Sequence, residues 1–161
     1  MKVLVQVVVT IFVAAFGVVA LATSAGAGKT PVGCAGPQLI NRAALTVKVG
    51  TQMRTVGRLT QYWGRCNGKP RNWAHVHLRP GYRAHDVRLG IQTRNSRLHG
   101  VRTVAQRRDF PSDRARTISR DTRAFARGFV SHNGRVLSLP PVTTRWSHGH
   151  RPRVCGSCWP G

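Results

Sequence analysis

Trp73-Ala74-His75-Val76-His77-Leu78 alternates with a period of two. Ala74, Val76 and Leu78 fall on one side of an extended chain, and Trp73, His75, His77 and Arg79 fall on the other. Successive side chains of a strand point to opposite faces, so this spacing predicts a half-buried β-strand. Pro80-Gly81 closes it. Asp86 to Thr93 repeats the alternation, with Val87, Leu89 and Ile91 inward. The two runs are expected to pair as a hairpin across 80–84.

Working outward, Ala43 to Val49 is apolar and β-branched and stops at Gly50. Thr55 to Trp63 reads as another strand, and Gly64 to Arg71, with Asn67-Gly68 and Pro70, as a turn-rich loop around Cys66. Asn95 to Arg108 alternates weakly. Between Ser112 and Val130, the residues Ala115, Ile118, Thr122, Phe125 and Phe129 lie on one helical stripe, and Ser112 or Asp113 would cap its start. A short helix near 112–126 is therefore expected, with a strand as the rival reading of the second half. Phe129 to His132, Asn133-Gly134 and Arg135 to Leu139 form a hairpin signature around a type I′ dipeptide, ended by Pro140-Pro141. Many short strands with frequent turns predict a mainly β fold, a small antiparallel sandwich or barrel. No repeat and no second domain is visible.

The chain opens with Lys2, an apolar run from Val3 to Ala22, and Ala25-Gly26-Ala27. That order predicts a secretory signal peptide at 1–27, with 28–161 as a single exported domain. A retained membrane anchor is the lesser alternative, because a run of this length can span a bilayer.

The charge balance is extreme: 26 Lys and Arg stand against 4 acidic residues, for a net charge of +22. The acids are Asp86, Asp109, Asp113 and Asp121. Such a surface attracts cell-wall polymer, nucleic acid or anionic lipid. A GC-rich gene, or a shifted frame of one across Arg94 to Arg127, would yield similar text without selection for binding. Paired-carboxylate chemistry has little support in so acid-poor a chain, and no G-x-S-x-G, P-loop or H-E-x-x-H motif is present. No cofactor is implied.

The cysteines are Cys34, Cys66, Cys155 and Cys158, an even number that predicts disulfides in an exported chain. Three pairings are open, and the expected layout ties the C-terminal segment to the N-terminal third. His148, His150, Cys155 and Cys158 have zinc-compatible residue types, but oxidation is the favoured fate of these thiols, so no metal site is assigned. His75 and His77 with Arg79 could work a phosphodiester as acid, base and phosphate anchor. Their alternative role is that of solvent-facing strand residues. If 112–126 is helical, Arg116, Arg120, Arg123 and Arg127 form a cationic stripe for a polyanion. Trp63 and Trp73 are read as packing residues.

Gly33-Cys34, Val56-Gly57-Arg58-Leu59 with Tyr62, Cys66, Asn72-Trp73-Ala74-His75-Val76 and the closing Cys155-Gly156 resemble a family of small secreted bacterial domains of unknown function, widespread among actinobacteria. The resemblance is specific between about Val56 and Val76. It departs from the family at Arg58, where members carry an acidic residue, and Cys158 is extra. It implies secretion and a small β-rich fold, and supplies no catalytic residues. Together these readings favour a non-catalytic binding or structural module for acidic polymers at the cell surface. A cationic ribonuclease or toxin using His75 and His77 is the alternative.

Overall fold

The computed structural model describes residues 30–116, 121–148 and 151–152. The signal-peptide segment, Arg120, His150, Cys155 and Cys158 lie outside them. Two antiparallel sheets face each other and do not close into a barrel. One sheet runs β1 (Cys34–Val49), β2 (Gln52–Cys66), β3 (Lys69–Leu78), β6 (Asp109–Pro111). The other runs β10 (Arg151–Pro152), β9 (Ser147–His148), β7 (Asp121–His132), β4 (Tyr82–Thr93), β5 (Leu98–Val104), with β8 (Arg135–Thr143) also on β7.

The inward residues of the quoted stretch behave as read. Ala74, Val76 and Leu78 are fully buried, as are Val87, Leu89 and Ile91 of β4. They meet Leu45, Val47 and Leu59 from the first sheet and Ala124, Ala126 and Val130 from the second. Phe110 of β6 caps this core with no exposure, and the Arg-dense middle also supplies Val104 and Ala115 to it.

The hairpin expected between 73–78 and 86–93 is not formed. β3 pairs with β2 and β6, while β4 pairs with β5 and β7. Arg79-Pro80-Gly81-Tyr82 is instead the crossing between sheets. Tyr82 N–H donates to Arg79 C=O (3.1 Å), and Gly81 has φ 85°. Proline at the second position and a positive-φ glycine at the third fit a type II turn, which suits a change of sheet as well as a hairpin.

The loop expected at Gly64 to Arg71 is shorter. β2 continues to Cys66, and Asn67 (φ 50°) and Gly68 (φ 74°) alone make the turn into β3. The short helix expected near 112–126 is not found among the described residues: 112–116 is irregular apart from a bridge at Ala115, and Asp121–His132 is β7. The helical stripe at Thr122, Phe125 and Phe129 competes with a period of two in Thr122, Ala124, Ala126 and Val130. The second pattern wins because β7 has ladders on both edges, to β4 and to β8. The Asn133-Gly134 hairpin forms in the expected register, His132 opposite Arg135. β8 runs through Pro140-Pro141 to Thr143 with a register shift, rather than stopping there.

Cys34 and Cys66 are bonded to each other, not to the C-terminal segment. They are direct partners at the end of the β1–β2 ladder, so the bond staples two adjacent strands. The interior also holds a polar clamp between the sheets. Gln61 Nε2–H donates to Thr122 Oγ1 and Ser147 Oγ (both 3.0 Å), and Gln61 Oε1 accepts from Thr144 Oγ1 (3.2 Å). These side chains are all buried, so their partners replace water that the core excludes.

Candidate anion-binding site

β3 carries His75, His77 and the following Arg79 on the face turned away from the core. β6 lies alongside and sets Asp109 opposite His77. His77 Nδ1–H donates to Asp109 Oδ1 (3.1 Å), and His75 Nε2 lies 2.8 Å from the same oxygen. One carboxylate thus holds two imidazoles. The rings differ in access: the His75 side chain is 2% exposed and that of His77 35%. Tyr62 covers His75 edge-on, with ring centroids 5.9 Å apart, and stacks on Trp73 at 6.0 Å. Trp73, on the same outward face, is fully buried. The half-buried reading of the strand is thereby corrected: most of both faces is covered, and only its His77 end opens to solvent.

That end forms one wall of a basin of about 490 Å³, lined by Arg42, Ala43, Ala44, Thr55, Gly57, Arg58, His77 and Arg79. Arg42 and Ala44 come from β1, Thr55 and Arg58 from β2, and His77 from β3. A β-bulge lies beside it: the β1–β2 register shifts between Leu45 and Thr46, leaving Val56 as the extra residue. Bulges bend and twist a strand pair locally. Val56 turns into the core with no exposure, and Gly57 follows tight against β3. A Cβ on Gly57 would lie 2.4 Å from the His77 carbonyl oxygen. The bulge and this close approach fix the basin floor.

The electrostatics have one sign. Arg42, Arg58 and Arg79 are exposed, and among the described residues none of the three forms an ion pair. Asp109 is behind His77 and does not line the basin. Tying down Nδ1 orients the ring and leaves Nε2 for a ligand. Guanidinium groups offer forked donors that match phosphate, sulfate or carboxylate oxygens.

Of the sequence-predicted site residues, His77 and Arg79 meet in the basin, and His75 sits behind it. Arg116, Arg123 and Arg127 do not share a stripe. Arg116 is at the far end of the first sheet. Arg123 is on β7, where its Nε–H donates to Gln92 Oε1 (2.8 Å) and its guanidinium lies 4.5 Å from the Trp146 ring centroid. Arg127 faces Arg88 across the β4–β7 ladder. The stripe needed helical spacing, which the strand removes. Trp63 is half-buried with its indole N–H donating to Gln38 Oε1 (2.9 Å). His148, from the zinc-compatible group, instead donates to Asp121 Oδ1 (2.9 Å). Among the described residues no group of three or more His, Cys, Asp or Glu side chains is arranged to hold a metal ion.

Arg42, Arg58 and Asp109 belong to the site and were missed as site residues in the sequence. Arg58 had only its place beside the apolar Leu59 as a signal, because the bulge at Val56 breaks the parity of the second predicted strand. Asp109 had none, because β6 is only three residues long. No protein-family model, curated protein or solved structure matches the chain.

Proposed function

We propose that this chain is a secreted, disulfide-bonded β module that binds acidic polymers through the basin on its first sheet. The observation that carries the reading is the convergence of Arg42, Arg58, Arg79 and a carboxylate-held His77 on one hollow, with no acidic side chain in its lining. The net charge of +22 adds long-range attraction, and the basin gives that attraction a place to become contact. Arg58 stands where the resembling family carries an acid, which makes this basin more cationic than that pattern implies. Export is supported by the apolar leader and by the Cys34–Cys66 bond.

The ribonuclease alternative draws on the His77–Asp109 contact, but acid–base catalysis by two histidines needs both rings within reach of the substrate. Burial of His75 weighs against it, and binding is the reading adopted.

The test is polyanion affinity of the secreted protein against Arg42→Gln/Arg58→Gln/Arg79→Gln. The comparison is Arg83→Gln/Arg88→Gln/Arg135→Gln, which removes the same charge from exposed sites on the other sheet. The basin variant is expected to lose at least about tenfold in affinity, the equivalent of about 1.4 kcal/mol, and the comparison variant much less. Equal losses would mean that bulk charge, not the basin, does the binding.

A further inference from the structure

The outward face of β3 does not end at the basin. The β2–β3 ladder runs from Gly57 opposite Leu78 to Cys66 opposite Lys69 without a register shift. An unshifted ladder keeps the two-residue parity, so Lys69, Arg71, Trp73, His75, His77 and the following Arg79 share one face. At the Lys69 end lies a second hollow, of about 380 Å³, lined by Cys66, Asn67, Lys69, Arg71, Arg114 and Arg116. Four of its lining residues are cationic and none is acidic. Among the described residues, none of those four cations is in an ion pair.

This second hollow is built rather than incidental. Ala115 is locked to β3, its N–H donating to Asn72 C=O (2.8 Å) and its C=O accepting from Asn72 N–H (3.2 Å). Ala115 is buried by that bridge, while its neighbours Arg114 and Arg116 are left exposed beside Arg71. The Cys34–Cys66 bond closes the floor, and Asn67 N–H donates to Gly33 C=O (2.9 Å), fixing the turn. The backbone that carries these cations is therefore fixed, and only their side chains lose freedom when a ligand arrives.

From Arg71 to Arg79 the strand advances eight residues, roughly 26 Å at the usual rise. Between the two hollows Trp73 and His75 are buried. Neither hollow is lined by Phe, Tyr or Trp, so neither offers a platform on which a base would stack.

We propose, resting on the basin reading above, that the two hollows are the ends of one site for a linear phosphate polymer, gripped at charged groups about 26 Å apart. Recognition is of the phosphates and not of the units between them. Once one end is seated, the second binds as an intramolecular event, which raises the affinity of a chain long enough to reach both.

The experiment is calorimetry of the full secreted chain with two probes, tripolyphosphate and long-chain inorganic polyphosphate. Two tripolyphosphates per protein are expected, and an affinity for the long chain higher by about a hundredfold. Lys69→Gln/Arg114→Gln/Arg116→Gln changes three exposed residues, and an unaltered circular dichroism spectrum checks its fold. It is expected to bind one tripolyphosphate and to lose most of the long-chain advantage. Two results overturn the spanning site: a long-chain advantage that survives this variant, or a loss equal to that of Arg83→Gln/Arg88→Gln/Arg135→Gln. In both, the basin reading stands if tripolyphosphate still binds there. An oligothymidylate of equal charge that binds more tightly than polyphosphate would assign the face to nucleic acid and overturn the proposal. Failure of the unaltered protein to bind either phosphate probe would overturn the spanning phosphate site, and the basin reading falls with it only if sulfated and carboxylated polymers also fail to bind.

Discussion

Removing the Cys34–Cys66 bond by Cys34→Ser/Cys66→Ser tests the staple on which the first sheet depends. The two cysteines are 32 residues apart in sequence, and the bond closes the whole β1–β2 hairpin. For a loop of that size the chain-entropy relation gives about 12 cal/mol/K, or about 3.7 kcal/mol at room temperature. Native stabilities run about 5–15 kcal/mol, so the loss is a large share of the total. For a chain of this size 1 kcal/mol moves the midpoint by about 2–4 °C, which puts the fall in Tm on the order of 10 °C. Thermal unfolding followed by circular dichroism reads it, and non-reducing peptide mapping checks the pairing in the parent protein. The reasoning fails if the double variant unfolds within about 1 kcal/mol of the parent. It also fails if mapping joins Cys34 or Cys66 to Cys155 or Cys158.

Three further substitutions probe the layers between fold and site. Phe110→Ala empties a fully buried position where β6 caps the core and is expected to cost about 3–5 kcal/mol in urea unfolding. Gln61→Leu leaves Thr122, Thr144 and Ser147 short of a partner inside the sandwich, and a loss of about 1–3 kcal/mol is expected on the same assay. Gly57→Ala forces a Cβ against the His77 carbonyl and is expected to cost about 1–3 kcal/mol, with weaker polyanion binding because the basin floor shifts.

Local periodicity carried much of the fold. The alternation in 73–78 and 86–93 put Ala74, Val76, Leu78, Val87, Leu89 and Ile91 on the correct side, because strand parity is a property of neighbouring residues. The Asn133-Gly134 hairpin was equally local, since both positive-φ positions are written into the dipeptide. Partner choice was not. Pro80-Gly81 supports a turn but does not say whether the strands on either side share a sheet. Thr122, Phe125 and Phe129 fit the period of a helix while Thr122, Ala124, Ala126 and Val130 fit that of a strand, and only the ladders of β7 to β4 and β8 decide between them. Within the site, His77 and Arg79 were legible from their parity with each other. The seclusion of His75 depends on Tyr62 from one neighbouring strand and Asp109 from the other, contacts that no local pattern encodes. Asp109 meets the two histidines across more than thirty positions of chain. The disulfide was misassigned for a related reason: cysteine spacing is silent about which residues become register partners.

The most direct measurement of the central claim is a titration of the isotope-labelled protein with tripolyphosphate, followed by ¹H–¹⁵N NMR at physiological salt. The account predicts that the side-chain signals of Arg42, Arg58 and Arg79 and the ring of His77 shift first and saturate together, with Arg83, Arg88 and Arg135 unmoved. Small shifts spread evenly over all the arginines, without saturation, would contradict it.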